Sequence, residues 1–284
     1  MPKGPAEIFG YSLGGTSSQG EEIQKRHWCP FLDQMCWKRS RRVSYPFGVC
    51  SVRHNEETVA VCPSRFWQNR KVFKQVAEHH FGSLNDLLLF EEINLQGIGR
   101  LDYVLVKHKP LSREIIDFVG VEVQTVDTTS TGGLVEAFKA YMRDEDIGAK
   151  DYSFGLNWAN VWKRAFTQAL MKGVVFEHWS KKLYFVAQEP AYQRLMDRYS
   201  FHDLHDMSFD PDDTIVFLIY DLQEESPQYV LTRSRIESTT INEMLYAIEH
   251  GLAIPSKERF VRKLGRKVTE EANVRVNLEL GRDH

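Results

Sequence analysis

Four cysteines, Cys29, Cys36, Cys50 and Cys62, fall in one window, and none follows in the rest of the 284-residue chain. The opening Met1-Pro2-Lys3-Gly4-Pro5 carries no apolar stretch of a secretory signal. Disulfides are therefore not expected. Thiols so clustered point to a tetrathiolate metal site, with iron and zinc as the soft-ligand candidates. The spacing C-x6-C-x13-C-x11-C lacks the C-x2-C knuckle of common zinc modules, so scattered structural cysteines stand as the alternative. Residues 25–63 lack helical periodicity, and a bound metal would there substitute for a small apolar core.

The remainder reads as an ordinary globular chain, 42% hydrophobic and 26% charged. Its longest aliphatic run, Ile215 to Tyr220, is far shorter than the ~18–20 apolar residues of a membrane span. A membrane protein, a disordered chain, a fibrous repeat and a secreted disulfide scaffold are excluded, and a cytoplasmic location is expected. The net charge of −3 conceals a split: +5 over residues 1–80, −11 over 81–254 and +3 over 255–284. An acidic middle between basic ends suits a carboxylate site flanked by surfaces that meet a polyanion.

Residues 10–24, rich in Gly, Ser and Thr, read as a flexible loop. Ser64 to His80 reads as a helix with Phe66, Phe73 and Ala77 on one face. Leu84 to Phe90 reads as a second helical stretch. Beyond it, Leu101–Val106 and Phe118–Val126 read as strands and Leu134–Met142 as a helix. The clearest helix is Trp158 to Lys172, with Asn157 as N-cap and Gly173 as stop. Leu183–Ala187, Thr214–Leu222 and Tyr229–Thr232 read as further strands. Thr240-Ile241-Asn242-Glu243 is a capping-box pattern that opens a helix stopping near Gly251. Strands interleaved with helices predict an α/β domain with a mixed central sheet flanked by helices. The expected division is an N-terminal metal-binding segment, 1–80, and a catalytic domain, 81–284.

Asp102 heads one predicted strand, and Val121-Glu122-Val123-Gln124 lies in the next. Residues i and i+2 of a strand share a face, so Glu122 and Gln124 point the same way. If the two strands are neighbours, Asp102 and Glu122 converge. Two convergent carboxylates with water ligands suit Mg²⁺, which polarises a phosphoryl oxygen and lowers the pKa of an attacking water. Gln124 is neutral and cannot be a general base, but it can orient a water or a phosphate oxygen. Solvent-facing polar residues on an amphipathic strand are the competing explanation. Glu91 and Glu92 read as solvated charges closing a helix, with contact to a second ion as the alternative. No G-x-S-x-G and no P-loop is present.

The run Gly99-Arg100-Leu101-Asp102 followed by Glu122-x-Gln124 resembles the PD-(D/E)xK nuclease signature, with Gln at the usual Lys position. The segments Cys29-Pro30-Phe31-Leu32, Cys36, Phe47-Gly48-Val49-Cys50-Ser51-Val52 and Val61-Cys62-Pro63-Ser64-Arg65 resemble one branch of it, the NotI restriction endonuclease family. Val121–Asp127 and the helix Val161–Gln168 are similar to that family's catalytic strand and a helix downstream. The resemblance spans roughly residues 28–170. It implies a homodimeric type II enzyme that cuts a GC-rich palindrome in duplex DNA with Mg²⁺, paired with a cognate DNA methyltransferase acting on the same site. Asp102 and Glu122 would then ligate Mg²⁺, Gln124 would take the Lys position, and Cys29, Cys36, Cys50 and Cys62 would hold a structural iron, or zinc. Lys38, Arg39, Arg41, Arg42, Arg164, Lys263, Arg266 and Lys267 are candidate DNA contacts. A non-catalytic, metal-stabilised DNA-binding module and a nuclease of a repair or other defence system are the rival functions.

Overall fold

The computed structural model describes residues 2–13 and 18–270. In chain order the elements are β1 (Gly4–Ile8), β2 (Tyr11–Ser12), α1 (Ser18–Lys25), β3 (Trp28–Cys29), β4 (Gln34–Met35), β5 (Val49–His54) and β6 (Glu57–Ala60). A 3₁₀ segment, Pro63–Arg70, leads into α2 (Lys71–Phe81) and the strands β7 (Leu87–Leu95), β8 (Gly99–His108) and β9 (Ile115–Gln124). Then come β10 (Thr128–Thr129), α3 (Gly132–Tyr141), β11 (Gly155–Leu156), α4 (Trp158–His178) and β12 (Leu183–Gln188). The chain continues with α5 (Glu189–Tyr199), α6 (Phe201–Leu204), β13 (Ile215–Glu225), β14 (Gln228–Thr239), α7 (Ile241–Gly251) and α8 (Lys257–Glu270).

The centre is a six-stranded mixed sheet in the order β14-β13-β12-β9-β8-β7. Strand β12 runs parallel to both of its neighbours, β9 and β13, while the outer pairs are antiparallel. Every residue of β12 is buried, as expected for a strand covered on both faces. One face packs on α4, α5 and α7 through Ala169, Phe176, Leu195 and Met244. The other carries α2 through Phe73, Val76 and Ala77. The expected α/β class with a mixed sheet between helices is therefore met.

A second, four-stranded sheet, β2-β1-β5-β6, gathers the N-terminal segment. Its core joins Ile8, Val49 and Val52 to Leu134 and Phe138 of α3, so residues from both sides of position 80 pack together. A buried cluster of polar side chains links this sheet to β14. Arg65 Nε donates to Glu7 Oε2 at 2.9 Å, and Gln68 Nε2 donates to the carbonyl of Tyr229 at 3.0 Å.

Four expectations change. Leu84–Phe90 is not helical: Leu87 to Leu95 is an edge strand paired with β8, with Leu87 and Leu89 against the core and Leu88 and Phe90 exposed. A short apolar run satisfies either period, and a hydrogen-bonding neighbour decides it. Ser64–His80 is broken in two, because Asn69 and Arg70 both take left-handed backbone, each at φ 53°. Within residues 10–24, β2 and α1 are regular, while 14–17 lie outside the described residues. The long helix does not stop at Gly173 but runs to His178. A Cβ on Gly173 would lie 2.4 Å from Ile241 Cδ1 and 2.8 Å from Ile215 Cδ1, so the glycine is there to let α4 approach α7 and β13.

Candidate active site

Strands β8 and β9 are paired from His108↔Ile115 to Tyr103↔Val121, and there the ladder ends. Past that point side chains take over from backbone partners. The Val123 N–H donates to Asp102 Oδ2 at 2.9 Å, and the Asp102 N–H donates to Glu122 Oε1 at 3.4 Å. Asp102, Glu122 and Gln124 thus converge on the sheet face that carries α4. Alternation explains the arrangement, since Val121 packs on the opposite face.

Helix α4 meets these residues one by one. Lys172 Nζ lies 2.6 Å from Glu122 Oε1 and donates to the carbonyl of Arg100 at 2.7 Å. Gln124 Nε2 donates to Gln168 Oε1 at 3.0 Å. Arg164 stands 3.6 Å from Asp127 Oδ2, just past the strand. The helix is capped by Asn157, whose side chain accepts from the Asn160 N–H at 3.1 Å. Gly120 permits its close approach to β9: a Cβ there would lie 2.7 Å from both Phe176 Cζ and Leu183 Cδ1.

Glu122 and Lys172 are buried, and Glu122 Oε2 is buried without a hydrogen-bond partner. Burial pushes the Glu122 carboxyl up to about 7, the Asp102 charge adds to the rise, and Lys172 opposes it. Burial also raises Asp102, against the Val123 N–H that favours its charged form. Two desolvated carboxylates with one orphaned oxygen fit a divalent cation, because the one buried ammonium, Lys172, does not offset the desolvation of both.

The site opens on a groove of about 570 Å³. Leu32, Gln34, Trp37 and Ser64 line one side, and Asp102, Gln124, Asp127, Arg164 and Gln168 the other. Glu91 and Glu92 also line it, from strand β7 and not from a helix end, and Arg100 Nη1 donates to Glu92 Oε2 at 2.6 Å.

All four cysteines are buried and unbonded to one another. Among the described residues, no three His, Cys, Asp or Glu side chains stand in an arrangement able to hold a metal ion. The thiols are nevertheless neighbours, since a charge on Cys62 is felt by Cys29, Cys36 and Cys50. Burial raises all three of these, Cys36 to about 11, and so keeps them neutral in the absence of a cation. The donor chemistry fits a soft metal, while a closed set of ligands is not formed.

Of the basic candidates, Arg164 alone lines the groove. Lys38 gives its ammonium to the carbonyls of Val49 and Val61, at 2.7 and 2.8 Å, and so braces the backbone beside Cys50 and Cys62. Arg39 donates to the carbonyl of Cys36 at 2.6 Å. Arg41 and Arg42 are exposed, with the Arg42 guanidinium against Gly132. Lys263, Arg266 and Lys267 are exposed on α8. Sequence reasoning missed Lys172 and Gln168. Their only signal was a polar i, i+4 stripe beside the apolar face of the helix, and nothing in it named the strand opposite.

Comparison with family models places the chain among the restriction endonucleases. The matching model is that of restriction endonuclease NotI, over residues 7–232, and the chain belongs to that family. It is accordingly a site-specific deoxyribonuclease, a hydrolase that binds DNA. No curated protein matches the chain. Among the described residues no helix is long and apolar enough to cross a membrane.

Proposed function

We propose that the chain is a cytoplasmic type II enzyme of the PD-(D/E)xK kind that cuts both strands of a GC-rich palindrome with Mg²⁺ held by Asp102 and Glu122. The observation that carries this reading is the orphaned, buried Glu122 Oε2 beside Asp102, where β8 and β9 part. Mg²⁺ bound there supplies Lewis-acid polarisation of the phosphoryl oxygen and a water of lowered pKa. The chain's own residues do the rest. Asp102, which lines the groove, and Glu122, buried beside it, would hold the cation, and Gln124 would orient the attacking water by hydrogen bonds. Arg164 meets a phosphate oxygen once DNA displaces Asp127 from it, and solvent protonates the leaving 3′ oxygen.

Residues 1–80 contribute one groove wall through Leu32, Gln34, Trp37 and Ser64, and residues 81–284 contribute the catalytic side. Iron, or zinc, on Cys29, Cys36, Cys50 and Cys62 stabilises that first wall and takes no part in the chemistry. The described residues hold one candidate site, so concerted cutting of two antiparallel strands calls for a homodimer, whose dyad makes the target palindromic. A host carrying such an enzyme needs a methyltransferase that protects the same site. The test is incubation with plasmid and Mg²⁺, with and without chelator, followed by end-sequencing. Discrete fragments with one palindrome at every end are expected, and none with chelator. Binding without cleavage would overturn the reading.

A further inference from the structure

We propose that α4 is the positioning element of the site, with Lys172 holding Glu122 and Gln168 holding Gln124 from a single stripe of the helix. The proposal rests on the reading of Asp102 and Glu122 as cation ligands. Residues 164, 168 and 172 are separated by four, so they line up along one side of α4 at about 6 Å per step. Residues 122 and 124 repeat on one side of β9 at about 6.6–6.8 Å. The two spacings nearly match, and the helix runs back along the strand. Lys172 therefore reaches Glu122, Gln168 reaches Gln124, and Arg164 reaches Asp127 beyond the strand end. Gly120 is what brings the two elements near enough for side chains to meet directly.

A buried ammonium is costly unless it is paired and hydrogen-bonded. Lys172 is 3% exposed and meets both conditions, through Glu122 Oε1 and the Arg100 carbonyl. Its ammonium is committed to Glu122 Oε1 at 2.6 Å and to the Arg100 carbonyl at 2.7 Å, so it fixes a carboxylate rather than replacing the lysine missing at position 124. It acts through Glu122. By occupying Oε1 it leaves Oε2 as the one oxygen offered to a cation. Its charge also offsets the repulsion between Asp102 and Glu122, so that both are held in place before any cation arrives. Gln168 does the parallel task for a neutral group. Accepting from Gln124 Nε2, it turns the amide oxygen of Gln124 the other way and gives that side chain one orientation.

The test uses the full chain and three variants, Lys172→Met, Gln168→Leu and Gln168→Glu. Mn²⁺ binding is read by calorimetry without DNA, cleavage is read as kcat and KM, and melting is followed alongside. Lys172→Met is expected to bind Mn²⁺ at least fivefold more weakly; a lysine that were only a counter-ion would, on removal, leave affinity unchanged or tighter. Gln168→Leu is expected to lose at least tenfold in kcat with KM and melting temperature near those of the parent. Gln168→Glu keeps an acceptor for Gln124 and should recover kcat, its added charge appearing in KM. Unchanged or tighter Mn²⁺ binding by Lys172→Met overturns the proposal. If that variant does not fold, Gln168→Leu decides alone, and a parental kcat overturns it. A parent chain that binds Mn²⁺ but cuts no DNA would sink the proposed function while the Lys172→Met binding result still judges this one.

Discussion

At the scale of single residues, Glu122 concentrates the consequences. Its carboxyl titrates near 7 in the folded chain against an ordinary 4.5, because burial and Asp102 outweigh Lys172. The folded state therefore binds more protons than the unfolded chain between those values. The stability this carboxyl contributes is fully present below about 4.5 and is lost as pH rises through about 7. In divalent-free buffer the melting temperature of the parent should fall, relative to Glu122→Gln, between pH 5 and 8. Parallel curves for the two proteins would contradict the burial of this charge. With Mg²⁺ present, Glu122→Ala should lower cleavage at least about 100-fold, equivalent to roughly 3 kcal/mol of transition-state stabilisation, while the circular dichroism spectrum is preserved. Asp102→Ala should behave alike, and near-parental rates for either would remove the assignment.

At the scale of elements, the packing of α4 on β9 governs the site. A Cβ at Gly120 would press on Phe176, a fully buried ring that also packs against Phe118 and Trp179. Overpacking of this kind costs about 1–3 kcal/mol. Gly120→Ala should accordingly lower the unfolding free energy by that amount in urea, and should lower kcat as well, because the helix that holds Glu122 and Gln124 is displaced. A variant that loses stability but keeps kcat would uncouple the helix spacing from the chemistry. The edge strand β7 teaches a different point. Leu87, Leu88, Leu89 and Phe90 form a run too short to show a period, and the hydrogen bonds of β8 settle its conformation.

At the scale of the whole molecule, the groove lies between the cysteine-bearing segment and the central sheet. Stabilising one wall should therefore protect the site without entering the reaction. Elemental analysis should find iron or zinc at about one per parent chain and less in Cys50→Ser, with a lower melting temperature for the variant. A parent protein containing neither metal would refute the tetrathiolate. Two-strand cutting makes a prediction of its own: sedimentation should give a dimer on DNA. A monomer on DNA that nicks one strand would refute the dyad argument and leave the nuclease activity standing.

The sequence by itself determined the α/β class, the shared strand face of Glu122 and Gln124, the four-cysteine window, and the local signals at Asn157 and Thr240. These are written in short spacings: alternation along one strand, an N-cap, a capping box, a cluster of like ligands. Tertiary structure alone decided that β8 and β9 are neighbours that part beside Asp102, and that Lys172 and Gln168 stand over the strand. It also turned Lys38 inward to two carbonyls and carried α4 past Gly173. The physical reason is common to all of these. Each depends on what lies across a contact between residues tens of positions apart, where close approach, desolvation and hydrogen-bond partners are set by the packed fold rather than by any local pattern.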